Sequence, residues 1–302
     1  MTIRRRMIYK AGLAADILGK ASELVISFIR NRQNPDGGFK GRSDTSDIYY
    51  TMFGFDCLTA LKSTPIFPIE QFLAEHGSIE NLDFVHLCSL TNLLSAIFPN
   101  DTGAKSIEDL EFDANEFGRI ANQIEKYRAA DGGYNVVKGL SRSSIYGNFL
   151  AISTLEEIGA QLPDGNIIVN SIMKLKSADG GFANEPDLKE GTTTATAAAI
   201  VLLDKFGVKS YSENINWLLK MFHPSGGFLA SPSAPIPDLL STATALHCLS
   251  ETGLDMNLIK EKCLDYLDSL WSAEGAFYGT WADETTDVEY TFYGLLALGS
   301  LH

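Results

Sequence analysis

The sequence predicts an all-α fold, a closed α/α toroid of six helical hairpins, from three observations. An Asp-Gly-Gly-aromatic phrase recurs at fixed spacing, each copy lies between two apolar segments of helical period, and almost no strand signal competes. The phrase reads Asp36-Gly37-Gly38-Phe39, Asp131-Gly132-Gly133-Tyr134 and Asp179-Gly180-Gly181-Phe182. Softer copies are Ser225-Gly226-Gly227-Phe228 and Glu274-Gly275-Ala276-Phe277. From Gly132 the first glycines are 48, 46 and 49 residues apart, and Gly37 lies 95 residues before Gly132, twice that period. A sixth, worn copy is therefore expected near Gly77. Residues 1–302 read as one domain of six repeats of about 48 residues.

Each repeat supplies two helices. The segment before the phrase is amphipathic, as in Ile167 to Leu175, Ile215 to Phe222 and Leu258 to Trp271, with charges such as Lys174, Lys176, Glu261 and Lys262. After a polar loop comes a second segment, apolar nearly all round: Asp47 to Leu61, Asp83 to Ile97, Ile145 to Ile158, Thr193 to Phe206, Leu239 to Thr252 and Asp287 to Leu301. A helix apolar on every side is buried on every side. The second helices thus form an inner ring and the first an outer one. The glycine pair suits the C-terminal end of the first helix, where a left-handed residue is needed. The aromatic that follows packs the loop against the barrel, and Asp47, Asp83 and Asp287 suit N-caps of second helices.

Composition narrows the function classes. With 45% hydrophobic and 21% charged residues the chain has a globular profile. No apolar run is long enough to span a membrane, and Arg4, Arg5 and Arg6 precede too weak an apolar stretch for a signal peptide. A net charge of −14 argues against a nucleic-acid surface. Cys57, Cys88, Cys248 and Cys263 lack metal-type spacing, which predicts free thiols in the cytoplasm.

The repeats resemble those of the protein prenyltransferase β subunits and terpenoid cyclases, over nearly the whole chain, and most closely the geranylgeranyltransferase β subunits. Pro224-Ser225-Gly226-Gly227-Phe228 through Pro237-Asp238, and Thr286-Asp287-Val288-Glu289-Tyr290-Thr291-Phe292-Tyr293-Gly294-Leu295, carry it. The resemblance implies an isoprenoid diphosphate ligand and a helical partner subunit. It also implies a zinc held by Asp, Cys and His. Asp238 keeps the Asp position, but Leu240 stands at the Cys and Tyr290 at the His, so zinc is not expected there. The diphosphate-gripping positions hold Gly191, Ser231, Ala234 and Ser241.

The first two repeats echo the family site differently. Arg42, Asp47 and Tyr50 fall where the diphosphate and zinc repeat carries such residues, with Tyr49 in place of Cys, and His86 falls in the following repeat. Asp47 and His86, with Cys88 nearby, are a candidate zinc or magnesium site. The plainer reading makes Asp47 and Asp83 helix caps and His86 a satisfied core histidine. The cyclase comparison points to Asp287-Val288-Glu289-Tyr290-Thr291, where Glu289 occupies the place of the protonating carboxylate beside Asp287. Dipole-favoured acids in a first helical turn explain the same pattern. Cyclases of this class generally add a second toroid.

The candidate catalytic residues are therefore Asp287, Glu289, Tyr290, Asp238 and Tyr50. The candidate substrate-binding residues are Arg42, Tyr49, Phe53, Tyr146, Phe292 and Tyr293. Aromatics on the first and last inner helices face small residues, Thr192 to Ala199 and Ser241 to Ala245, on the fourth and fifth, which predicts either an apolar lumen or close helix packing. Three functions follow: an isoprenoid-handling prenyltransferase-like protein, a divergent class II cyclase using Glu289 or Asp287 as acid, and a non-catalytic toroid binding a protein or peptide.

Overall fold

A computed structural model describes the chain except residues 77–78, 99–105, 108–109, 112–113 and 210. The copy expected near Gly77 lies outside the described residues. The inner helices are α3 (Ile48–Ala60), α5 (Phe84–Ile97), α7 (Ile145–Glu157), α9 (Thr193–Lys205), α11 (Leu239–Glu251) and α13 (Val288–Ser300). The outer ones are α2 (Ser22–Asn31), α4 (Ile69–His76), α6 (Ala114–Glu125), α8 (Gly165–Met173), α10 (Ser212–Lys220) and α12 (Asn257–Ser269). Each inner helix packs on the next, and α13 packs back on α3, which closes the ring.

All six inner helices begin with a side-chain cap that satisfies an amide the helix leaves unpaired. Asp47, Asp83, Ser144, Thr192, Asp238 and Asp287 accept from backbone N–H groups of the first turn. These caps set the N-termini at one end of the ring. There the first amide of α7 donates to the Asn184 carbonyl, that of α9 to Ala230 and that of α11 to Gly279.

The glycine phrase works differently from the sequence expectation. The first glycine does have positive φ, 93° at Gly37 and 96° at Gly180. It lies well past the end of its helix, however, in a separate turn rather than at a helix C-terminus. The preceding aspartate explains why: Asp36, Asp131 and Asp179 accept from the amide of the second glycine at 2.9, 3.1 and 3.1 Å. Their carboxylates also reach across the loop to Ser46, Ser143 and Gly191. A side chain on Gly37 would stand 2.0 Å from the Pro68 carbonyl oxygen, so only glycine fits.

The aromatic is then driven inward. Phe39, Tyr134, Phe182, Phe228 and Phe277 are fully buried. Four of their amides donate to a polar side chain one turn into the following inner helix, Thr51, Asn148, Thr196 and Thr242. These bonds let a polar backbone pass through an apolar layer without an unpaired donor. Two-residue strand pairs, Phe39–Lys40 with Ser46–Asp47 and Phe228–Leu229 with Pro237–Asp238, brace two of the loops, a minor β element the helical pattern did not signal.

Helix α1 (Ile3–Leu18) belongs to neither ring. It packs on α13, α3 and α7 at the C-terminal ends of the inner helices. A Cβ on Gly299 would lie 1.7 Å from the Lys10 carbonyl oxygen, so glycine permits this contact. Its three arginines bind acids that the inner helices bring to this end. Buried Arg4 pairs with buried Asp56 and lies 3.5 Å from Glu157; Arg5 bonds Glu157 at 2.9 Å, and Arg6 meets Glu251 at 3.1 Å. Burial pushes the Asp56 carboxyl up, and Arg4 draws it back. The basic run is thus part of a floor for the ring.

Candidate functional site

Inside the ring lies a cavity of about 470 Å³. One wall is small residues of α9 and α11, including Ala195, Ala198 and Thr244, and the facing wall carries Tyr49, Tyr146 and Tyr293. Below it, toward α1, a narrower chamber of about 110 Å³ is lined by Phe53, Phe292, Cys88 and Asn92 along with Arg4 and Asp56. Tyr49, Tyr146, Phe149 and Tyr293 border both spaces. Phe53 stands edge-on to Tyr49 at 4.9 Å and near Phe292 and Tyr293 at 5.5 and 5.6 Å, so the aromatics form one packed wall.

Glu289 is the carboxylate on the main cavity's wall. It sits in the first turn of α13 and accepts a 2.7 Å hydrogen bond from the Tyr49 hydroxyl. Burial raises its pKa above the ordinary glutamate value; the Tyr49 bond lowers it, and the Asp287 charge raises it again. The net effect is a carboxyl that keeps its proton to higher pH than a solvated one.

Asp287, its neighbour, is differently occupied. One oxygen caps α13 through the Tyr290 amide at 2.8 Å and the other accepts from Arg42 Nε at 2.9 Å. Arg42 also binds Asp283 at 2.7 Å and lies over the Tyr290 ring at 5.5 Å. The bond to Asp287 raises the guanidinium pKa, against burial, and Asp283 adds to it. Arg42, Asp287 and Tyr290 therefore form a rim cluster outside the lining of the lumen cavity. Asp238 lies outside that lining as well: it caps α11 through the Ser241 amide at 2.7 Å, and burial raises its pKa.

The mouth is a third space, about 540 Å³, lined by Asp47, Tyr50, Asp83, His86 and the outer faces of Tyr49 and Tyr146. His86 bridges two caps, Nε2 to Asp47 at 3.1 Å and Nδ1 to Asp83 at 2.8 Å. Burial alone would lower its pKa; the bonds to Asp47 and Asp83 outweigh that and raise it. With both ring nitrogens engaged, the imidazole offers no free lone pair. Cys88, named beside this pair in the sequence, is fully buried in the lower chamber. Among the described residues no group of three or more His, Cys, Asp or Glu is arranged to hold a metal ion.

The structure thus brings together Glu289, Tyr49, Tyr146 and Tyr293, with Phe53 and Phe292 beneath them, and Asp47, Tyr50 and His86 above. Sequence reasoning missed the floor and two polar wall residues, Asn184 and His247. Asn184 was hidden in a loop; its side-chain oxygen accepts from the Tyr146 amide at 2.9 Å. His247 was legible in principle, as a histidine in an otherwise apolar inner helix.

A ring of helical pairs around an apolar-walled lumen, with α1 across one end, defines an α/α toroid. The chain belongs to the prenyltransferase alpha-alpha toroid domain family, whose model matches residues 71–205 and 195–301. A sequence search of curated proteins gave no match. Among solved structures it resembles a type II terpene cyclase from Scytonema in complex with geranylgeranyl dihydroxybenzoate, at 13% identity and TM-score 0.54, with 95% of this chain covering 97% of that one. It also resembles the GH76A alpha-1,6-mannanase from Salegentibacter sp. HEL1_6, at 14% identity and TM-score 0.58, covering 93% and 98%. Candida albicans protein geranylgeranyltransferase-I complexed with GGPP matches at 18% identity and TM-score 0.48, covering 98% and 82%. At these identities the likeness is one of fold. Among the described residues no helix is long and apolar enough to cross a membrane.

Proposed function

We propose that this protein binds an isoprenoid chain in its lumen and cyclises it by protonation, with Glu289 as the general acid. The observation that carries the reading is Glu289 itself: a carboxyl on the wall of an apolar cavity, with its pKa raised by burial and its orientation set by the Tyr49 hydroxyl. Protonating a carbon–carbon double bond needs an acid that stays protonated beside an apolar substrate. It also needs walls that shield the resulting cation from water. The faces of Tyr49, Tyr146, Phe149 and Tyr293 meet the second need, since aromatic faces are electron-rich and stabilise nearby positive charge.

The transfer of a prenyl group from a diphosphate fits less well. Neither the mouth nor the main cavity is lined by lysine or arginine, and the mouth carries Asp47 and Asp83. Arg42, the candidate cation that the sequence offered for such a group, is held by Asp283 and Asp287. A departing diphosphate needs free positive charge. The substrate is therefore read as an isoprenoid with an uncharged or weakly charged head.

Calorimetric titration with geranylgeraniol and with geranylgeranyl diphosphate, each with and without zinc or magnesium, tests the binding. The alcohol is expected to bind at least as well as the diphosphate and without metal. No heat from either compound would transfer the assignment to a protein- or peptide-binding toroid. For catalysis, Glu289→Gln is expected to lower cyclised product at least about a hundredfold, the usual weight of a general acid.

A further inference from the structure

His247 stands on the wall of the main cavity, in α11, next to α13 which carries Glu289. The residue is 6% exposed, and its Nδ1 is enclosed without a hydrogen-bond partner. The lining it shares includes Met7, Val201 and Leu296, which offer no hydrogen bond, and Thr244, one turn earlier in α11, whose hydroxyl donates to the Leu240 and Ser241 carbonyls. A buried histidine kept for packing normally has at least one nitrogen satisfied. Here the ring is enclosed at a cost that no interaction within the protein offsets, on the surface that a ligand would touch. Nε2 makes no hydrogen bond among the described residues either, and it is the nitrogen left to the cavity.

Position adds the second half of the argument. Glu289 lies two residues past its cap Asp287, whereas His247 lies nine past its cap Asp238. The capped ends of the inner helices share one end of the ring, so at 1.5 Å per residue His247 is about 10 Å deeper than Glu289. Burial, with the Arg6 and Lys10 charges, lowers its pKa to about 3, so the ring is neutral and its lone pair free.

Resting on the cyclase reading above, we infer that His247 is a second catalytic residue, the base that ends the reaction at the deep end of the lumen. Glu289 gives its proton to one carbon of a double bond, and the other carbon becomes cationic. Internal double bonds attack in turn, which moves the positive charge along the folded chain, away from Glu289. Nε2 of His247 then takes a proton from the carbon beside the final cation, and that C–H electron pair becomes the new double bond. Glu289 is left as a carboxylate and His247 as an imidazolium, and return of one proton through solvent restores both. The reaction is an isomerisation and needs no oxidant, reductant or co-reactant. Acid high and base low in one apolar tube would favour products whose last double bond lies far from the protonated end.

The test uses the full-length protein with geraniol, farnesol, geranylgeraniol and their diphosphates, and product analysis by gas chromatography–mass spectrometry. His247→Phe keeps a ring of similar size and removes the lone pair. The variant is expected to consume substrate within about tenfold of the wild-type rate, as cyclisation still begins at Glu289. It should replace a single alkene by a mixture of isomeric alkenes and water-quenched alcohols. Its melting temperature should not fall, because the ring it replaces makes no hydrogen bond. A wild-type product pattern from His247→Phe, with Glu289→Gln inactive, overturns the inference and leaves the cyclase reading standing. Product retained by Glu289→Gln, or no cyclised product from the wild type with any of the six compounds, overturns the reading and the inference with it. If His247→Phe does not fold, His247→Gln, which lacks a basic nitrogen, carries the same comparison.

Discussion

The two ends of the ring treat their acidic residues differently. At the floor, Asp56, Glu157 and Glu251 each meet an arginine of α1, with the Arg4–Asp56 pair enclosed and Arg5 and Arg6 partly exposed. At the capped end, Asp283 and Asp287 share Arg42, Asp47 and Asp83 share one histidine, and Glu289 on the lumen wall has a tyrosine hydroxyl. Both ends take acids from the same repeated helix, so the repeat itself does not explain the difference. What differs is α1, an element outside the repeat. Arginine pairing is complete for these three acids at the floor, whereas at the capped end it reaches Asp283 and Asp287 but not Asp47, Asp83 or Glu289.

The comparison is most open to disproof at the floor. Arg4→Met should destabilise the protein by about 3–5 kcal/mol in denaturant unfolding, because Asp56 loses its buried partner and Glu157 one of its own. Arg4→Met combined with Asp56→Leu should recover much of that loss; no recovery would mean α1 holds by packing alone. Away from both ends, Thr196→Val leaves the Phe182 amide buried and unpaired, an expected cost of about 1–3 kcal/mol by the same measurement.

At the mouth the expected effects are smaller, and one is reversed in sign. The folded-state pKa of Glu289 is raised, so the folded protein holds its proton more tightly than the unfolded chain does. The stability this contributes is present below the ordinary carboxylate range and lost as pH rises toward the raised value. Glu289→Gln should therefore raise the melting temperature at neutral pH while removing cyclisation; a fall would show that the ionised acid is structural. The smallest effect is that of His86, whose folded-state pKa is also raised. Its contribution is present below about pH 6.5, the ordinary histidine value, and lost as pH rises through the folded value. His86→Ala should cost less than about 1 kcal/mol, at acid pH only, since the three groups are part-exposed. Melting curves of both proteins across pH 5 to 9 measure it.

Much of the fold was legible because it is written locally. The inner helices fall within a residue or two of the apolar segments, and Asp47, Asp83 and Asp287 cap them as their position indicated. The glycine turn was misplaced because its logic lies in the Asp side chain bonding forward to the second glycine, which periodicity does not register. The site was legible in part. Of the six candidate substrate-binding residues, Tyr49, Phe53, Tyr146, Phe292 and Tyr293 line the lumen spaces and Arg42 lies outside them. The acids Asp287 and Glu289 were not separable in sequence, because two residues on a helix cap turn only in three dimensions toward different partners.

By itself the sequence determined the repeat, the helix boundaries, the caps and the family, since all of these depend on neighbours within one hairpin. Only the tertiary structure decided that α1 seals the ring and that Arg42 is engaged by Asp283 and Asp287. It alone set Glu289 against Tyr49 from 240 residues away, and left His247 unpaired on the lumen wall. Those facts arise from closing the ring, which joins the first and last repeats and fixes what each inward-facing side chain meets.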